Sequence, residues 1–151
     1  MDPVAKTLVR MRGQRVYIDS NYFIYFLTRH PVAFNAAAAL LQACDDGQLL
    51  GMTGDAVVAE LLVKPYRDDD IAAVATIRQL FEREHFIQRL RHDAACFELA
   101  AEIRGKQGGK LIDALHYATA LRGDCRFFLS NDSAFKSNDR LTVIRLKDFG
   151  N

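Results

Sequence analysis

The sequence predicts one α/β domain built on a central parallel sheet of four to five strands, with helices packed around it. Short runs of β-branched and aromatic residues alternate with longer segments whose apolar residues recur at helical spacing. Strands that alternate with helices are typical of a parallel sheet. At 151 residues the chain has the length of a single domain, and no repeat or linker divides it. We therefore predict one domain over residues 1–151, with its core at about residues 14–146.

Each predicted strand is a short apolar run bounded by polar residues or glycine. The first, Val-Tyr-Ile at residues 16–18, is followed at once by Asp19, Ser20 and Asn21, whose side chains favour a helix start. The predicted strands are residues 16–18, 49–53, 85–90, 126–130 and 142–145.

The predicted helices have start and stop signals at their ends. Pro31 stops the first, Gly47 follows the second, and Pro65 is expected to end the third. The acidic run at residues 68–70 suits the positive end of a helix dipole, so we interpret it as structural. The predicted helices are residues 22–27, 32–46, 55–64, 68–84, 93–106 and 113–121, with a short helical turn at 131–136.

Residues 1–13 carry basic residues but no continuous apolar segment. A signal peptide needs such a segment, so we expect a short, partly frayed lead-in instead. No apolar run reaches the roughly 18–20 residues that span a membrane. Cys44, Cys96 and Cys125 are widely spaced and odd in number, which predicts reduced thiols in the core of a cytoplasmic protein.

The net charge of +1 gives the whole protein no bias towards nucleic acid. A local basic patch can still coexist with an acidic pocket, because their charges cancel in the sum. An RNA or DNA partner therefore stays open at this point.

Four acidic residues lie inside apolar segments or where such segments give way to helix starts. They are Asp19, Glu60, Asp113 and Asp132. Ligands of open α/β sheets bind at the carboxyl ends of the strands. If all four acids meet there, their oxygens form a pocket for a hard divalent cation such as Mg²⁺ or Mn²⁺. Taken singly, the three aspartates could be helix caps and Glu60 a solvated surface residue.

A pocket of this kind suits phosphodiester hydrolysis. Two metal ions roughly 3.5–4 Å apart can hold a phosphate, activate a water and stabilise the leaving oxygen. The chain has no GxxxxGK[ST], GxSxG or HExxH motif that would support a rival chemistry. His116, three residues after Asp113, shares a helix face with it, and we interpret it as a packing or supporting residue. The other histidines show no ligand spacing.

Four motifs in order give the chain a family resemblance. They are Asp-Ser-Asn after the first strand at residues 19–21, Glu60 within AELLVKP at 59–65, DALHYATA at 113–120 and SNDSAF at 130–135. In this order they resemble the PIN domain family, and within it the VapC-type toxin ribonucleases of toxin–antitoxin modules. The resemblance covers about residues 14–146. Gly54 departs from it, because relatives often place a serine before the second motif's helix.

The resemblance implies an Mg²⁺- or Mn²⁺-dependent endoribonuclease that forms a homodimer and is neutralised by a small antitoxin protein. It assigns metal coordination and catalysis to the four acids, and supporting roles to Asn21 and Ser130. RNA phosphates would need nearby cations, for which the candidates are Lys64, Arg67, Arg104, Lys106 and Lys110. The antitoxin is expected to dock on a groove beside the first two predicted helices, which are rich in aromatic residues of a kind that more often belongs to the core: Tyr22, Phe23, Tyr25 and Phe26.

Two alternatives remain open. A non-catalytic PIN-like module that binds RNA or protein would typically have lost one of the acids, and this chain keeps all four. A small phosphatase with Asp19 as nucleophile would typically carry a second aspartate two residues later, where this chain has Asn21.

Overall fold

A five-stranded parallel sheet forms the centre of the protein. The structure is a computed structural model that describes residues 1–150. Its strands are β1 (Arg15–Ile18), β2 (Leu50–Gly54), β3 (Ile87–Leu90), β4 (Phe127–Leu129) and β5 (Thr142–Ile144). They lie in the order β3-β2-β1-β4-β5, and every pair is parallel. The predicted α/β fold with a central parallel sheet is confirmed.

Seven α-helices pack around this sheet within residues 1–150. They are α1 (Pro3–Met11), α2 (Ser20–Leu27), α3 (Phe34–Asp45), α4 (Asp55–Arg67), α5 (Ile71–Glu82), α6 (Ala94–Gln107) and α7 (Leu111–Arg122), followed by a 3-10 helix at Leu146–Phe149. Among these residues no helix is long and apolar enough to cross a membrane.

The strand order reverses direction at β1. The chain first builds outward from β1 to β2 and β3, then returns to the other side of β1 with β4 and β5. In such sheets the connections on the two sides of the reversal diverge, which leaves a crevice at the carboxyl ends of the central strands. The residues that directly follow β1 and β4 therefore lie beside this crevice, and the two strands stay paired up to it, since the Asp19 N–H donates to the Leu129 carbonyl at 2.9 Å.

The core is continuous from the sheet into the helices. Tyr17 of β1 and Phe128 of β4 are paired residues on adjacent strands, and their rings stack with centroids 5.1 Å apart. Both side chains are fully buried. The three cysteines are buried and free, as predicted for core thiols.

The prediction of a frayed N-terminus is wrong. Residues Pro3–Met11 form α1, whose first turn is capped by the Asp2 carboxylate accepting from the Ala5 N–H at 2.8 Å. Met11 is fully buried, and the Thr7 hydroxyl donates to the Asp148 carbonyl at 2.5 Å. The helix is held by these contacts with the body of the protein, which local sequence signals do not report.

Two further local predictions are also wrong. Pro65 does not end α4, which continues to Arg67; proline removes one N–H from the helix ladder, and the Pro65 carbonyl still accepts from the Asp70 N–H at 2.8 Å. Residues 131–136 are not helical. They form an irregular turn in which the Asp132 carboxylate accepts from the Ala134 N–H at 2.9 Å, so the side chain satisfies the backbone locally.

The burial of Met11 allows a direct test of the role of α1. Met11→Ala should lower the free energy of unfolding by about 2–5 kcal/mol, the usual cost of truncating a buried methionine. Val9→Ala, on the exposed side of the same helix, should change it by less than about 0.5 kcal/mol. Chemical denaturation of both variants checks this. Equal stabilities would mean that α1 does not belong to the cooperative unit.

Candidate metal centre

Asp19 lies at the carboxyl end of β1 and is 6% exposed. Its Oδ1 accepts from the Ser20 N–H at 2.8 Å, and its Oδ2 accepts from the Ser130 hydroxyl at 2.8 Å. Asp19 is thus the N-cap of α2, and it is also fixed by a hydroxyl from the end of β4. Helix capping alone requires only the first of these bonds.

Glu60 approaches Asp19 from α4. Its Oε1 lies 2.5 Å from His116 Nε2, and its Oε2 lies 3.5 Å from the Ser20 hydroxyl. One potential ligand atom from each of Asp19, Glu60 and His116 falls within 4.8 Å of the other two. The Glu60 side chain remains 42% exposed, so it faces solvent and the cluster together.

Asp113 and Asp132, the other two predicted acids, lie near this group but are not among the ligand atoms within 4.8 Å of one another. Helix α7 begins at Leu111, which places Asp113 in its first turn instead of at a cap. Asp132 is exposed, and its backbone N–H donates to the Ser130 hydroxyl oxygen at 3.1 Å. Ser130 therefore contacts both Asp19 and the backbone of Asp132. Arg145 donates to the carbonyl oxygens of Asp132 and Phe135, which braces the turn that carries Asp132.

The four acids interact electrostatically. Burial raises the pKa of Asp113, and the charges of Asp132 and Asp19 raise it further. Burial also raises the pKa of Asp19, and the charge of Glu60 adds to this, while His116 and hydrogen bonds from Ser130 and Ser20 act in the opposite direction. Carboxylates that raise each other's pKa repel one another, and a divalent cation relieves such repulsion.

The donor atoms fit a hard cation. Carboxylate oxygens are the ligands that Mg²⁺ and Mn²⁺ prefer. Within residues 1–150, the Oδ1 atom of Asn21, two residues after Asp19, is buried without a hydrogen-bond partner. A buried acceptor of this kind usually has a partner, so an additional donor or cation near the start of α2 would satisfy it.

His116 connects the cluster to the core. It is 2% exposed, and the Tyr17 hydroxyl lies 2.7 Å from its Nδ1. When Glu60 is ionised, Nε2 donates to Glu60, and in the neutral ring Nδ1 then accepts from Tyr17. Both ring nitrogens are engaged, so His116 orients Glu60. The sequence interpretation of His116 as a packing or supporting residue stays a prediction, because its ring also offers one of the three potential ligand atoms.

His92 was not singled out by the sequence, and it explains Gly54. Gly54 is the N-cap of α4 and offers no side chain. Instead, His92 Nε2 accepts from the Ala56 N–H at 3.0 Å. A Cβ on Gly54 would lie 2.5 Å from His92 Cε1 and would also collide with the Tyr17 hydroxyl. An imidazole from the loop after β3 therefore caps the helix that carries Glu60.

The five cations considered for RNA differ in their surroundings. All are exposed. Lys64 pairs with Asp68 at 2.5 Å, and Lys106 pairs with Glu102 at 2.8 Å. Lys110 precedes α7, and its charge lowers the pKa of Asp113. Arg67 and Arg104 lie towards the carboxyl ends of α4 and α6. A further lysine, Lys136, which no sequence motif marks, follows the turn of Asp132 and lines a pocket together with Lys110 and Asp113.

The family model of the PIN domain matches residues 16–141. The chain belongs to the PIN domain family. No curated protein matches the chain.

Solved structures of similar fold come from VapBC systems. VapBC2 of Rickettsia felis, solved with a DNA fragment from its promoter, has a TM-score of 0.65 at 17% identity, over 87% of this chain and 98% of that chain. VapC20 of Mycobacterium tuberculosis, a Sarcin-Ricin loop cleaving toxin, has a TM-score of 0.65 at 14% identity, over 78% of this chain and 90% of that chain. VapBC-1 of nontypeable Haemophilus influenzae has a TM-score of 0.63 at 17% identity, over 88% and 98%. At these identities the likeness establishes the fold that this PIN domain shares with them.

The cap from His92 should make stability depend on pH. His92→Ala should lower the free energy of unfolding by about 0.5–2 kcal/mol, the usual cost of losing a helix cap. Only a neutral ring can accept from Ala56, and burial lowers the pKa of His92 below its ordinary 6.5. The unfolded chain therefore takes up the proton at higher pH than the folded protein.

The stability difference between the wild type and His92→Ala should accordingly be complete above about pH 6.5 and shrink as the pH falls further. Urea denaturation of the two proteins across this range measures it. The subtraction removes titrations that both proteins share. A difference that grows on acidification would contradict a neutral His92 cap.

Proposed function

We propose that this PIN domain is an endoribonuclease that depends on Mg²⁺ or Mn²⁺ and acts as the toxin of a toxin–antitoxin pair. The proposal is supported by the approach of the Asp19 and Glu60 carboxylates at the carboxyl end of β1, and by Asp113, whose pKa is raised by burial and by the charges of Asp132 and Asp19. Such a concentration of carboxylates is costly unless a cation neutralises it.

The four acids would hold the metal, which when bound supplies a polarised phosphate and an activated water. The protein's own contribution is to fix the ligands. The Ser130 hydroxyl holds Asp19 Oδ2 and the backbone of Asp132, and His116 holds Glu60. Ligands held by surrounding hydrogen bonds need little reorganisation when a cation binds.

RNA as the substrate is supported by the family and by the structural neighbours. VapC20 of M. tuberculosis is described as a toxin that cleaves the Sarcin-Ricin loop. The neighbours from R. felis and H. influenzae are VapBC assemblies. By analogy we propose a homodimer and a small cognate antitoxin for this chain.

A groove beside Glu60 suits such an antitoxin. It lies between α2, α4 and α5, has a volume of about 460 Å³, and has an apolar floor that includes Ile24, Leu27 and Leu61. Acidic residues at its rim are Glu60, Asp68 and Asp70. An apolar segment with a basic side chain directed at Glu60 fits this surface, because a guanidinium pairs well with carboxylates.

The groove differs from the expected docking surface. Tyr22 and Phe23 are fully buried, so the expectation that they line a docking surface is wrong. Helix α2 turns these rings into the core, and Ile24 and Leu27 face the groove instead. Tyr25 and Phe26 are half-buried and pack against the core.

Replacing a cluster acid should separate catalysis from folding. Asp19→Asn should reduce the cleavage of single-stranded RNA in Mn²⁺ to background, because it removes the charge of a metal ligand. The protein should stay folded, because the substitution also removes repulsion between carboxylates. The matched control is Asp45→Asn. The Asp45 carboxylate pairs with Arg83 away from the four acids, so this variant should cleave RNA like the wild type.

Metal binding provides a second readout in the same proteins. A cation at one hundred times its Kd stabilises the wild type by about 2.7 kcal/mol, which raises its Tm, and Asp19→Asn should lose most of this gain. Wild-type cleavage by purified Asp19→Asn would refute the catalytic assignment. Full stabilisation of that variant by Mn²⁺ would refute its role as a ligand.

The groove can be tested by neutralisation. Ile24→Asp places a charge on the 43%-exposed apolar residue of α2 and should leave RNA cleavage intact. Cells that express Ile24→Asp should still grow slowly when the small protein encoded by the adjacent gene is co-expressed, because that protein would no longer bind the groove. Val9→Asp, on an exposed position of α1, should be neutralised like the wild type. Equal neutralisation of both variants would place the partner elsewhere.

A further inference from the structure

A second cavity, of about 450 Å³, opens beside Asp113. It lies between the glycine-rich junction of α6 and α7 and the turn that follows β4. Its lining includes Ile103, Lys110, Asp113, Tyr117 and Lys136. The volume is in the range of sites that hold small organic ligands. Because Asp113 lines this cavity and is also one of the four acids, a ligand in the cavity would lie beside those acids.

The walls of the cavity are fixed by contacts within the protein. The Tyr117 hydroxyl donates to the Lys136 carbonyl at 2.8 Å, which ties the turn to α7. The rings of Tyr117 and Phe135 are nearly parallel, at 9°, with centroids 6.4 Å apart. Phe135 in turn contacts Phe128 in the core, with centroids 4.5 Å apart. The aromatic side of the cavity is therefore preformed.

The cavity lining carries two lysines against one carboxylate, Asp113, so its charged side favours an anion. Within residues 1–150, neither Lys110 nor Lys136 forms a salt bridge, whereas Lys64 in the groove beside Glu60 pairs with Asp68. Gly108 and Gly109 have φ of +79° and +85°, and no atom lies within 4 Å of where a Cβ would be. The backbone here is open to a ligand, in a conformation that residues with a Cβ rarely adopt.

We propose that this cavity holds one nucleotide of single-stranded RNA, next to the phosphate that is cleaved. The base lies against the Ile103 and Tyr117 wall, and Lys110 and Lys136 contact the backbone phosphates. The assignment rests on the proposed function. A paired base would be stacked in its helix, so the cavity selects an unpaired one.

The lysines are tested by salt dependence. The probe is a fluorescently labelled single-stranded RNA hexamer of mixed sequence, bound in Mg²⁺ by the full chain carrying Asp19→Asn so that the RNA stays intact. In single strands each phosphate contact contributes about 0.7 to the slope of log K against log salt. Lys110→Gln with Lys136→Gln should therefore reduce the slope by about 1.4.

The matched control removes the same net charge from the segment before β1. Lys6→Gln with Arg12→Gln should leave the slope unchanged, since both are exposed residues outside the cavity. The apolar wall is tested separately with Ala134→Leu, which narrows the cavity from the exposed turn. In the Asp19→Asn background, Ala134→Leu should weaken RNA binding without changing its salt dependence. In the protein that retains Asp19, it should raise the KM for RNA cleavage and leave kcat unchanged.

The outcomes separate this proposal from the function on which it rests. An unchanged slope in the double lysine variant, or unchanged affinity and KM in Ala134→Leu, would overturn the nucleotide site, even if the wild type cleaves RNA. If the variants lose RNA binding as expected but the wild type never cleaves RNA, the nucleotide site would be supported and the proposed nuclease activity refuted. A lysine variant that changes the oligomeric state would assign the cavity to a second copy of the chain and overturn the proposal.

Discussion

The burial of Asp19 is the constraint on which the rest of the site depends. A carboxylate that is 6% exposed loses most of its hydration, and its ionised form is stable only if other groups replace the water. The Ser20 N–H and the Ser130 hydroxyl replace part of it. They do not fully compensate, because the pKa of Asp19 is still raised. A bound cation would reduce the remaining cost, so this geometry would favour metal binding.

Beneath the acids, buried polar groups are arranged so that each supports a neighbour. Tyr17 contacts His116, and His116 contacts Glu60. His92 caps α4 and contacts the Thr119 hydroxyl at 2.7 Å. Since Nε2 of His92 accepts from Ala56, its Nδ1 carries the proton and donates to Thr119. Helix α4 is thereby positioned at its start by one histidine and at Glu60 by another. Such a network fixes the position of an exposed carboxylate more tightly than helix packing alone does.

The sequence predicts what local chemistry determines. The four acids can be found because each follows a strand or interrupts an apolar helix, and the sheet can be found because its strands alternate with helices. Met11 and Thr7 are different, since α1 is stabilised by contacts with residues that are distant in sequence. His92 gives no signal either: it acts on a helix start 36 residues away, and the only trace is the missing side chain at Gly54. Lys136 gives no sequence signal, because only the fold places it in the same cavity as Lys110. The roles of the acids themselves remain a proposal that mutation must test.

The groove beside Glu60 and the cavity beside Asp113 differ in charge. This difference suggests that an inhibitor and the RNA substrate would bind different surfaces. The groove that Glu60 shares is apolar with an acidic rim, and its lysine is already paired. The cavity that Asp113 shares carries two lysines without salt bridges in the described part of the chain. A polyanion is repelled by the first surface and attracted by the second, whereas a basic peptide has the opposite preference. On this account, an antitoxin and the RNA would approach the carboxylates over different surfaces. They would compete only at the cluster itself, where a guanidinium and a metal ion need the same oxygens. Inhibition would then act by displacing the cation, and its strength would depend on the metal concentration.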